Sequence, residues 1–374
     1  MNLHEIDKRL SGIIKDINFY SLLTPTNQYE EKQKFFKKHR NGQGYNPVFL
    51  YRKHDLTVYL KSLETLKAKL DTQDQLERLF KEKMDFAIGQ IRLLQSEDHA
   101  FTEISAELYG IPDKVCLEEA GNILEKISTT GYVFPDETVT PCEMAVIFQK
   151  NLGIAGIDWE VILSDKIIPK ITVSGKDKRV YINSRINYTR EEVQRLKVHE
   201  IDVHVYRGAN GDIQPFWIFR EGLAGYDETE EGLAIILEEM SGCLRIDNRQ
   251  EKIYAARALS VEYSIEGAFY DVFIRLKDFF PEEIAYRMAE RTKRGLTDTS
   301  LSGGFTKDFH YMSGWRKLRK YAEEKKDIKI LYTGKIGVEH VEIVEALISS
   351  KVLSPPCFVP EILLDETEKD KKVL

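Results

Sequence analysis

The stretch KVHEIDVHVYR, residues 197–207, contains two histidines, His199 and His204, and a glutamate, Glu200, directly after the first of them. At zinc sites in hydrolases, histidine and glutamate are residue types that bind the metal, and a glutamate can also activate the attacking water. The zinc-protease signature H-E-x-x-H separates its histidines by four positions, whereas these two are five apart. Residues five apart diverge by about 140° around an α-helix. On a regular helix the two imidazoles could not share one ion, so two half-buried structural histidines are the alternative interpretation.

A local widening of the helix would remove this angular separation between the two histidines. A π-bulge replaces the i→i+4 hydrogen bond by an i→i+5 bond, and such bulges occur mostly at functional sites. One bulge between His199 and His204 would bring both imidazoles to the same side of the helix. We therefore expect the hydrogen bonding in this stretch to depart from i→i+4 if the histidines bind one metal ion.

A catalytic zinc site also needs a third protein ligand and an open position for water. The segment EGLA occurs twice downstream, at residues 221–224 and 231–234, so Glu221 and Glu231 are both candidates. Glu200 would then be left to take the proton from the activated water. The residues alone do not choose between the two glutamates, and either could be a surface carboxylate.

The elements around this stretch can be predicted from patterning. Short β-branched runs at 159–163, 170–173 and 179–182 predict a small sheet, with a hairpin turn at 174–177. Thr189 and Glu192 form a capping box that begins the helix carrying the histidines. Asn210 and Gly211 are typical of a turn. The helix with the candidate ligands should therefore follow directly after the sheet.

The rest of the chain is predominantly helical by the same criteria. Apolar residues recur at threes and fours from Leu56 to Leu94, with a break at residues 71–74 that indicates two antiparallel helices. Thr140, Pro141 and Glu143 mark the start of a further helix. We predict an α+β fold with a helical N-terminal region at 1–152, a catalytic core at 153–305 and a C-terminal helical region at 306–374 packed on that core.

Composition excludes several classes of protein. The formal net charge of −7, from 54 basic and 61 acidic residues, is dispersed and argues against a nucleic-acid partner. Charged residues at positions 5, 7 and 8 interrupt any signal-peptide core, and no long apolar run predicts a membrane span. The four cysteines form no C-x-x-C pair and fit reduced core thiols. We expect a cytoplasmic protein that does not act on a membrane.

Several blocks of sequence, in a fixed order, resemble one known family, the microtubule-associated tyrosine carboxypeptidases and their bacterial relatives known as QEGLA-motif proteins. The two central blocks are HEIDVHVYRGANG followed by QPF, and GLAGYDETEEGLA. The outer blocks are Leu108-Tyr109-Gly110, Arg294-Gly295, Phe305-Thr306-Lys307-Asp308 and Pro355-Pro356. The order of these blocks over most of the chain is far more specific than any one motif.

The resemblance implies a zincin-like zinc carboxypeptidase built on H-E-x-x-x-H. It implies that zinc is held by His199, His204 and Glu231, because only Glu231 aligns with the glutamate of the family's second block, and that Glu200 is the general base. This chain departs from the family at two positions. Asp202 stands where glycine is usual, and Glu230 stands where glutamine is usual, so both departures add a carboxylate near the expected metal.

A carboxypeptidase must bind a terminal carboxylate, which arginine and lysine do through charge-assisted hydrogen bonds. Lys307 and Arg294 lie at positions like those of the family, and Arg207 follows the metal helix, so these three are candidate substrate-binding residues. Tyr311 is a candidate hydrogen-bond donor to the developing oxyanion. The expected substrate is the C-terminus of a peptide or protein, with an aromatic last residue such as tyrosine. The alternative is a non-catalytic zinc-binding protein that modulates gene expression, as bacterial relatives are described to do.

Overall fold

The structure, a computed structural model, describes residues 1–126, 138–167, 169–246 and 248–365. The chain divides into two compact units, each made of two separate segments. Unit 1 comprises Met1–Thr129 and Glu251–Ser313, and unit 2 comprises Thr130–Gln250 and Gly314–Leu374. These limits differ from the predicted boundaries at 152/153 and 305/306. Local patterning carries no information on which distant segments pack together, so it could not show that the chain returns to unit 1.

The first segment of unit 1 is helical, as predicted. Its helices are α1 (Leu3–Ile17), α2 (Phe19–Leu22), α3 (Gln28–Arg40), α4 (Thr57–Lys67), α5 (Gln75–Gln95), α6 (Asp98–Tyr109) and α7 (Lys114–Lys126). The predicted break separates α4 from α5, where Asp74 accepts a hydrogen bond from the backbone N–H of Glu77 and begins the second helix.

The first segment of unit 2 carries the strands and the candidate ligands. Its elements are β1 (Thr138–Val139), α8 (Pro141–Ala155), β2 (Glu160–Ser164), β3 (Ile171–Ser174), β4 (Arg179–Asn183), β5 (Tyr188–Thr189), α9 (Arg190–Leu196), a π-helix (Lys197–Val205), α10 (Tyr206–Ile213), α11 (Ile218–Glu221), α12 (Tyr226–Met240) and α13 (Cys243–Ile246). Capping boxes at Thr140 and Thr189 begin α8 and α9, which confirms both predicted helix starts.

The predicted small sheet is present in unit 2. Strand β4 is central, pairing in parallel with β2 and antiparallel with β3 across the hairpin. Strands β1 and β5 form a separate antiparallel pair. Because β5 runs directly into α9, the chain passes from strand to helix immediately before the candidate ligands.

The remaining elements are again helical. They are α14 (Asn248–Glu266), α15 (Phe269–Lys277), α16 (Glu282–Lys293), α17 (His310–Glu323) and α18 (Val341–Ser349), with short 3₁₀ helices at Thr306–Phe309, Ile328–Thr333, Val338–His340 and Glu361–Leu363. The fold is therefore α+β and predominantly helical, as predicted. No helix in the described ranges has the length and apolar character needed to cross a membrane.

Each unit has its own hydrophobic core. In unit 1 the ring of Phe35 packs against Phe269, Phe273 and Tyr286 at centroid distances of 5.3, 4.8 and 4.9 Å. In unit 2 the core joins α8, the three-stranded sheet and the helix with the histidines, through buried residues that include Phe148, Ile182 and Ile201. Burial of Ile201 fixes the rotation of the π-helix, since its apolar face must point into this core.

Two glycines set how closely α12 approaches the start of α17 within unit 2. A Cβ atom at Gly232 would lie 2.2 Å from the backbone carbonyl carbon of Gly314, and one at Gly314 would lie 2.0 Å from the carbonyl oxygen of Glu228. Backbone atoms cannot move aside for an added Cβ atom as the end of a flexible side chain can. Gly232 is therefore required by close packing, one position after Glu231.

We expect Gly232→Ala to destabilise the protein by about 1–3 kcal/mol, the usual cost of overpacking. Gly153→Ala is the matched control in unit 2, because it also replaces a helical glycine but meets no atom within 4 Å. Alanine there should stabilise α8 by about 0.5–1 kcal/mol. Chemical denaturation of the three proteins measures both changes, and equal stabilities for the two variants would contradict the packing argument.

Candidate metal centre

The two histidines lie on a π-helix that is nine residues long, from Lys197 to Val205. The predicted departure from i→i+4 hydrogen bonding is therefore confirmed. The wider turn brings residues five apart onto one side, so that the rings of His199 and His204 lie 5.1 Å apart between centroids. The geometric objection to a shared metal ion applies to a regular α-helix and is absent here.

A second pair of residues on this helix depends on the same geometry. Lys197 Nζ donates to Asp202 Oδ2 at 2.7 Å, and these residues are also five positions apart. On a regular α-helix they would point about 140° away from each other. Asp202, which replaces the family's usual glycine, therefore forms an ion pair that stabilises the π-helical conformation.

Helix α12 supplies the third candidate ligand. Glu231 Oε2 lies 3.5 Å from His199 Nε2. One donor atom from each of His199, His204 and Glu231 lies within 4.8 Å of the other two. Glu221, the alternative that the sequence left open, ends the short helix α11 and lies outside this cluster.

The donor set fits zinc. Two imidazoles and one carboxylate are the ligand types of catalytic zinc sites, and bonds of about 2.0–2.2 Å in a tetrahedral arrangement place ligand atoms roughly 3.3–3.6 Å apart. The 3.5 Å separation of His199 Nε2 and Glu231 Oε2 is in that range. His199 is 8% exposed, so the site is largely shielded from solvent. The ligand types and this separation therefore fit a zinc ion held by His199, His204 and Glu231.

The second ring nitrogen of each histidine meets another carboxylate from α12. His199 Nδ1 lies 2.9 Å from Glu238 Oε1, and His204 Nδ1 lies 3.1 Å from Glu230 Oε2. Both carboxylates are buried, and each has cationic neighbours. Glu238 accepts a hydrogen bond from Arg195 at 3.0 Å. Hydrogen bonds at Nδ1 leave Nε2 as the nitrogen directed at a metal.

These contacts shift the pKa values within the site. Burial lowers the pKa of His199, but its contacts with Glu231 and Glu238 and the charge of Glu200 raise it to about 10. A metal ion would therefore have to replace a proton on this imidazole. Burial raises the pKa of Glu230, but the charges around it, led by that of Lys335, outweigh burial and hold it well below the usual value.

Arg207, a predicted substrate-binding residue, has a different role in the structure. Its side chain is completely buried, and Nε donates to the backbone oxygens of Leu331 and Gly334 at 3.0 and 3.2 Å. A guanidinium in this position cannot reach a substrate carboxylate without leaving the core. It anchors residues 331–336 beside α10 instead, so we correct the predicted role.

The other predicted substrate residues belong to unit 1, and their roles toward substrate stay predictions. Lys307 is half-buried, with its ammonium 4.8 Å from the centroid of the Tyr20 ring. Arg294 lies over Phe305 at 4.9 Å. The ring of Tyr311 stacks on that of Tyr254 at 5.6 Å.

Asn210 and Gly211 correct a further prediction, because they lie inside α10 rather than in a turn. Asn210 Oδ1 accepts hydrogen bonds from the backbone N–H groups of Cys357 and Phe358 at 2.8 and 2.9 Å. A Cβ atom at Gly211 would lie 2.6 Å from the backbone of Arg220. Long-range contacts of this kind override the local preference of an Asn-Gly pair.

The residues that sequence reasoning missed are the carboxylate partners of the histidines. Glu238 follows Glu231 by seven positions, and seven residues are almost two full turns of an α-helix. Both side chains therefore lie on the same face of α12, and this spacing could have identified Glu238 as a second carboxylate near the histidines. Glu230 departs from the family's usual residue, and its contact with His204 has no local signal in the sequence.

Most of the chain is similar to known proteins. The family model for microtubule-associated tyrosine carboxypeptidase matches residues 33–373. The chain therefore belongs to the microtubule-associated tyrosine carboxypeptidase family. It is 26% identical over 347 residues to microtubule-associated tyrosine carboxypeptidase 1 of Rattus norvegicus, covering 89% of this chain and 63% of the relative. It is also 26% identical to the Homo sapiens protein of that name, over 86% of this chain and 60% of the relative. The chain thus spans about three fifths of the length of these relatives.

In unit 1, near Lys307 and Arg294, a buried carboxylate forms a strong ion pair. Asp308 accepts two hydrogen bonds from Arg291, both at 2.6 Å. Burial raises the pKa of Asp308, but the charges of Arg291, Arg257 and Arg294 hold it well below its usual value. The ionised form of Asp308 is therefore strongly favoured in the folded protein.

We expect Asp308→Asn to lower the free energy of unfolding at pH 7 by roughly 1.5–3 kcal/mol, the range for a hydrogen bond to a charged group. Because the folded-state pKa is depressed, this contribution is complete above the unfolded pKa of about 3.9 and is lost as pH falls below it. Urea denaturation from pH 7 to pH 3 should show the gap between wild type and variant shrinking below about pH 4. Asp16→Asn, at an exposed position of α1, is the control and should change stability little. A gap that stayed constant down to pH 3 would contradict the role of Asp308.

Proposed function

We propose that this chain is a zinc-dependent carboxypeptidase that removes the last residue of a peptide or protein. The observation that carries the proposal is the cluster of His199, His204 and Glu231, with donor atoms within 4.8 Å of one another. The π-helix that follows the small sheet supports a zincin-like core. The names of the relatives, which are tyrosine carboxypeptidases, support cleavage at a C-terminus.

In the proposed mechanism the two imidazoles and the Glu231 carboxylate hold the ion. Zinc, when bound, acts as a Lewis acid that polarises a carbonyl and lowers the pKa of water from about 15.7 to about 7. Glu200 is half-buried and follows the first ligand directly, so it is the general base that accepts the proton of the attacking water. The same carboxyl group then gives that proton to the leaving amine.

We propose tyrosine, or another aromatic residue, as the residue removed. This choice rests on the names of the relatives, each of which specifies tyrosine. Lys307 and Arg294 stay the candidates for binding the terminal carboxylate, and Tyr311 stays the candidate donor to the oxyanion. Arg207 is left out of this set because it is completely buried.

The first test is metal content. Wild-type protein should hold about one zinc per chain, while His199→Ala, His204→Ala and Glu231→Ala should lose most of it, since a three-ligand site tolerates no deletion well. Glu200→Gln should keep its zinc, because Glu200 is not a ligand. Elemental analysis by mass spectrometry after dialysis measures this directly.

His99→Ala is the matched control, because this histidine lies in unit 1 with a side chain that is 79% exposed. It should retain zinc at the wild-type level. Circular dichroism of each variant separates loss of metal from loss of fold. A wild-type chain that bound no zinc after reconstitution, or a His204→Ala variant that bound it normally, would overturn the proposed metal site.

The second test is hydrolysis of a peptide library that presents every residue type at the C-terminus. Zinc-loaded wild type should release the last residue, with peptides ending in tyrosine cleaved fastest. Glu200→Gln should lower kcat by about 10²–10⁴-fold, the usual contribution of a general acid–base group. Mass spectrometry of the products reads both results.

Glu191→Gln is the control for this change, because it makes the same substitution at a glutamate in the first turn of α9, outside the cluster of His199, His204 and Glu231. It should leave turnover unchanged. If zinc-loaded wild type cleaved no peptide, the non-catalytic alternative would replace carboxypeptidase activity. If Glu200→Gln matched wild type, the general base would be another group.

A further inference from the structure

One helix, α12, contacts Nδ1 of both imidazoles of the proposed metal site. Glu238 Oε1 lies 2.9 Å from His199 Nδ1, and Glu230 Oε2 lies 3.1 Å from His204 Nδ1. These two glutamates flank Glu231 on α12. A single rigid element therefore carries a ligand and a partner for each of the other two ligands.

Glu238 is the more deeply buried of the two partners. Its side chain is fully buried, and Arg195 of α9 donates to the same oxygen that faces His199, at 3.0 Å. The guanidinium therefore pairs with the buried carboxyl group on the side where that group meets His199.

Glu230 is held in a similar way by different residues. Its side chain is 5% exposed and lies 3.4 Å from Lys335 Nζ and 3.5 Å from Arg207 Nη1. Two cations thus compensate one carboxylate. A glutamine here, as is usual in the family, could turn either its oxygen or its amide nitrogen toward His204, whereas an ionised glutamate offers only acceptors.

We propose that Glu230 and Glu238 are positioning residues that hold His204 and His199 with the proton on Nδ1, so that Nε2 of each ring is the metal-binding nitrogen. This inference rests on the metal site proposed above. An acceptor at Nδ1 fixes both the tautomer and the orientation of the ring, and it raises the basicity of Nε2. Arg195 pairs with Glu238, and Lys335 and Arg207 pair with Glu230, so each carboxylate is itself held in place.

The first experiment measures zinc affinity by competition with a chromophoric chelator. Glu230→Ala and Glu238→Ala should each weaken zinc binding by about 10–100-fold, the usual effect of removing such a partner. Glu230→Gln keeps an acceptor oxygen and should stay within about threefold of wild type, a rescue that simple packing would not predict.

Glu228→Ala is the matched control. It also removes a partly buried carboxylate from α12, one that forms an ion pair with Lys317. It should leave zinc affinity unchanged even if it lowers stability. Visible absorption of the cobalt-substituted proteins gives a second readout, since the spectrum should change in Glu230→Ala and match wild type in Glu230→Gln and Glu228→Ala.

The second experiment needs no variant and so does not depend on a variant folding. Two-bond proton–nitrogen correlation spectra of zinc-loaded wild type, labelled with ¹⁵N at histidine, assign the tautomer of each ring. We expect Nδ1–H on both His199 and His204. Metal bound through Nδ1 of either ring, or unchanged zinc affinity in both alanine variants, would overturn this inference.

The outcomes also separate this inference from the proposed function. If wild type bound no zinc at all, both would fail together. If wild type bound zinc in a way that required His199 and His204 but not Glu230 or Glu238, the metal site would stand and the positioning role alone would be wrong.

Discussion

The candidate site depends on a single geometric constraint, the spacing of five residues between His199 and His204. Only a π-helical turn brings such residues to one side of a helix. Two pairs of residues five apart meet on that turn, the two imidazoles and the ion pair of Lys197 with Asp202 at 2.7 Å, and the ion pair stabilises it. Burial of Ile201 in the core of unit 2 then fixes how the π-helix is rotated.

Helix α12 supplies the carboxylate that completes the cluster begun by the two histidines of the π-helix. It carries Glu231, and its residues Glu238 and Glu230 contact Nδ1 of the two imidazoles. All three contacts depend on the distance between α12 and the π-helix. Gly232 allows this, because the absence of a side chain lets the helix approach the backbone of Gly314. The EGLA segment therefore combines a ligand with the small residue that permits its placement.

Much of this arrangement could be predicted from the sequence, because the signals are local. The capping box of Thr189 and Glu192 predicted the helix start, and the spacing of the histidines predicted its π-helical widening. The choice of Glu231 over Glu221 was not local, since the residues alone left both open until the family resemblance selected one.

The turn predicted at Asn210-Gly211 was wrong because it depends on distant contacts. Asn210 is held by the backbone of Cys357 and Phe358, far along the chain. The two-unit organisation was equally out of reach, since each unit joins segments far apart in the chain.

The charges around the imidazoles show how each of the two departures from the family is paired with cationic side chains. Four glutamates, at positions 200, 230, 231 and 238, surround the histidines, and three cations, Arg195, Arg207 and Lys335, lie beside the buried carboxylates. Asp202 does not add to this excess of negative charge, because Lys197 neutralises it on the same helix. Glu230 does not add to it either, because two of the three cations are its own partners. Arg195 balances Glu238 in the same way. The remaining negative charge belongs to Glu200 and Glu231, and it lies where a divalent cation bound by the histidines would offset it.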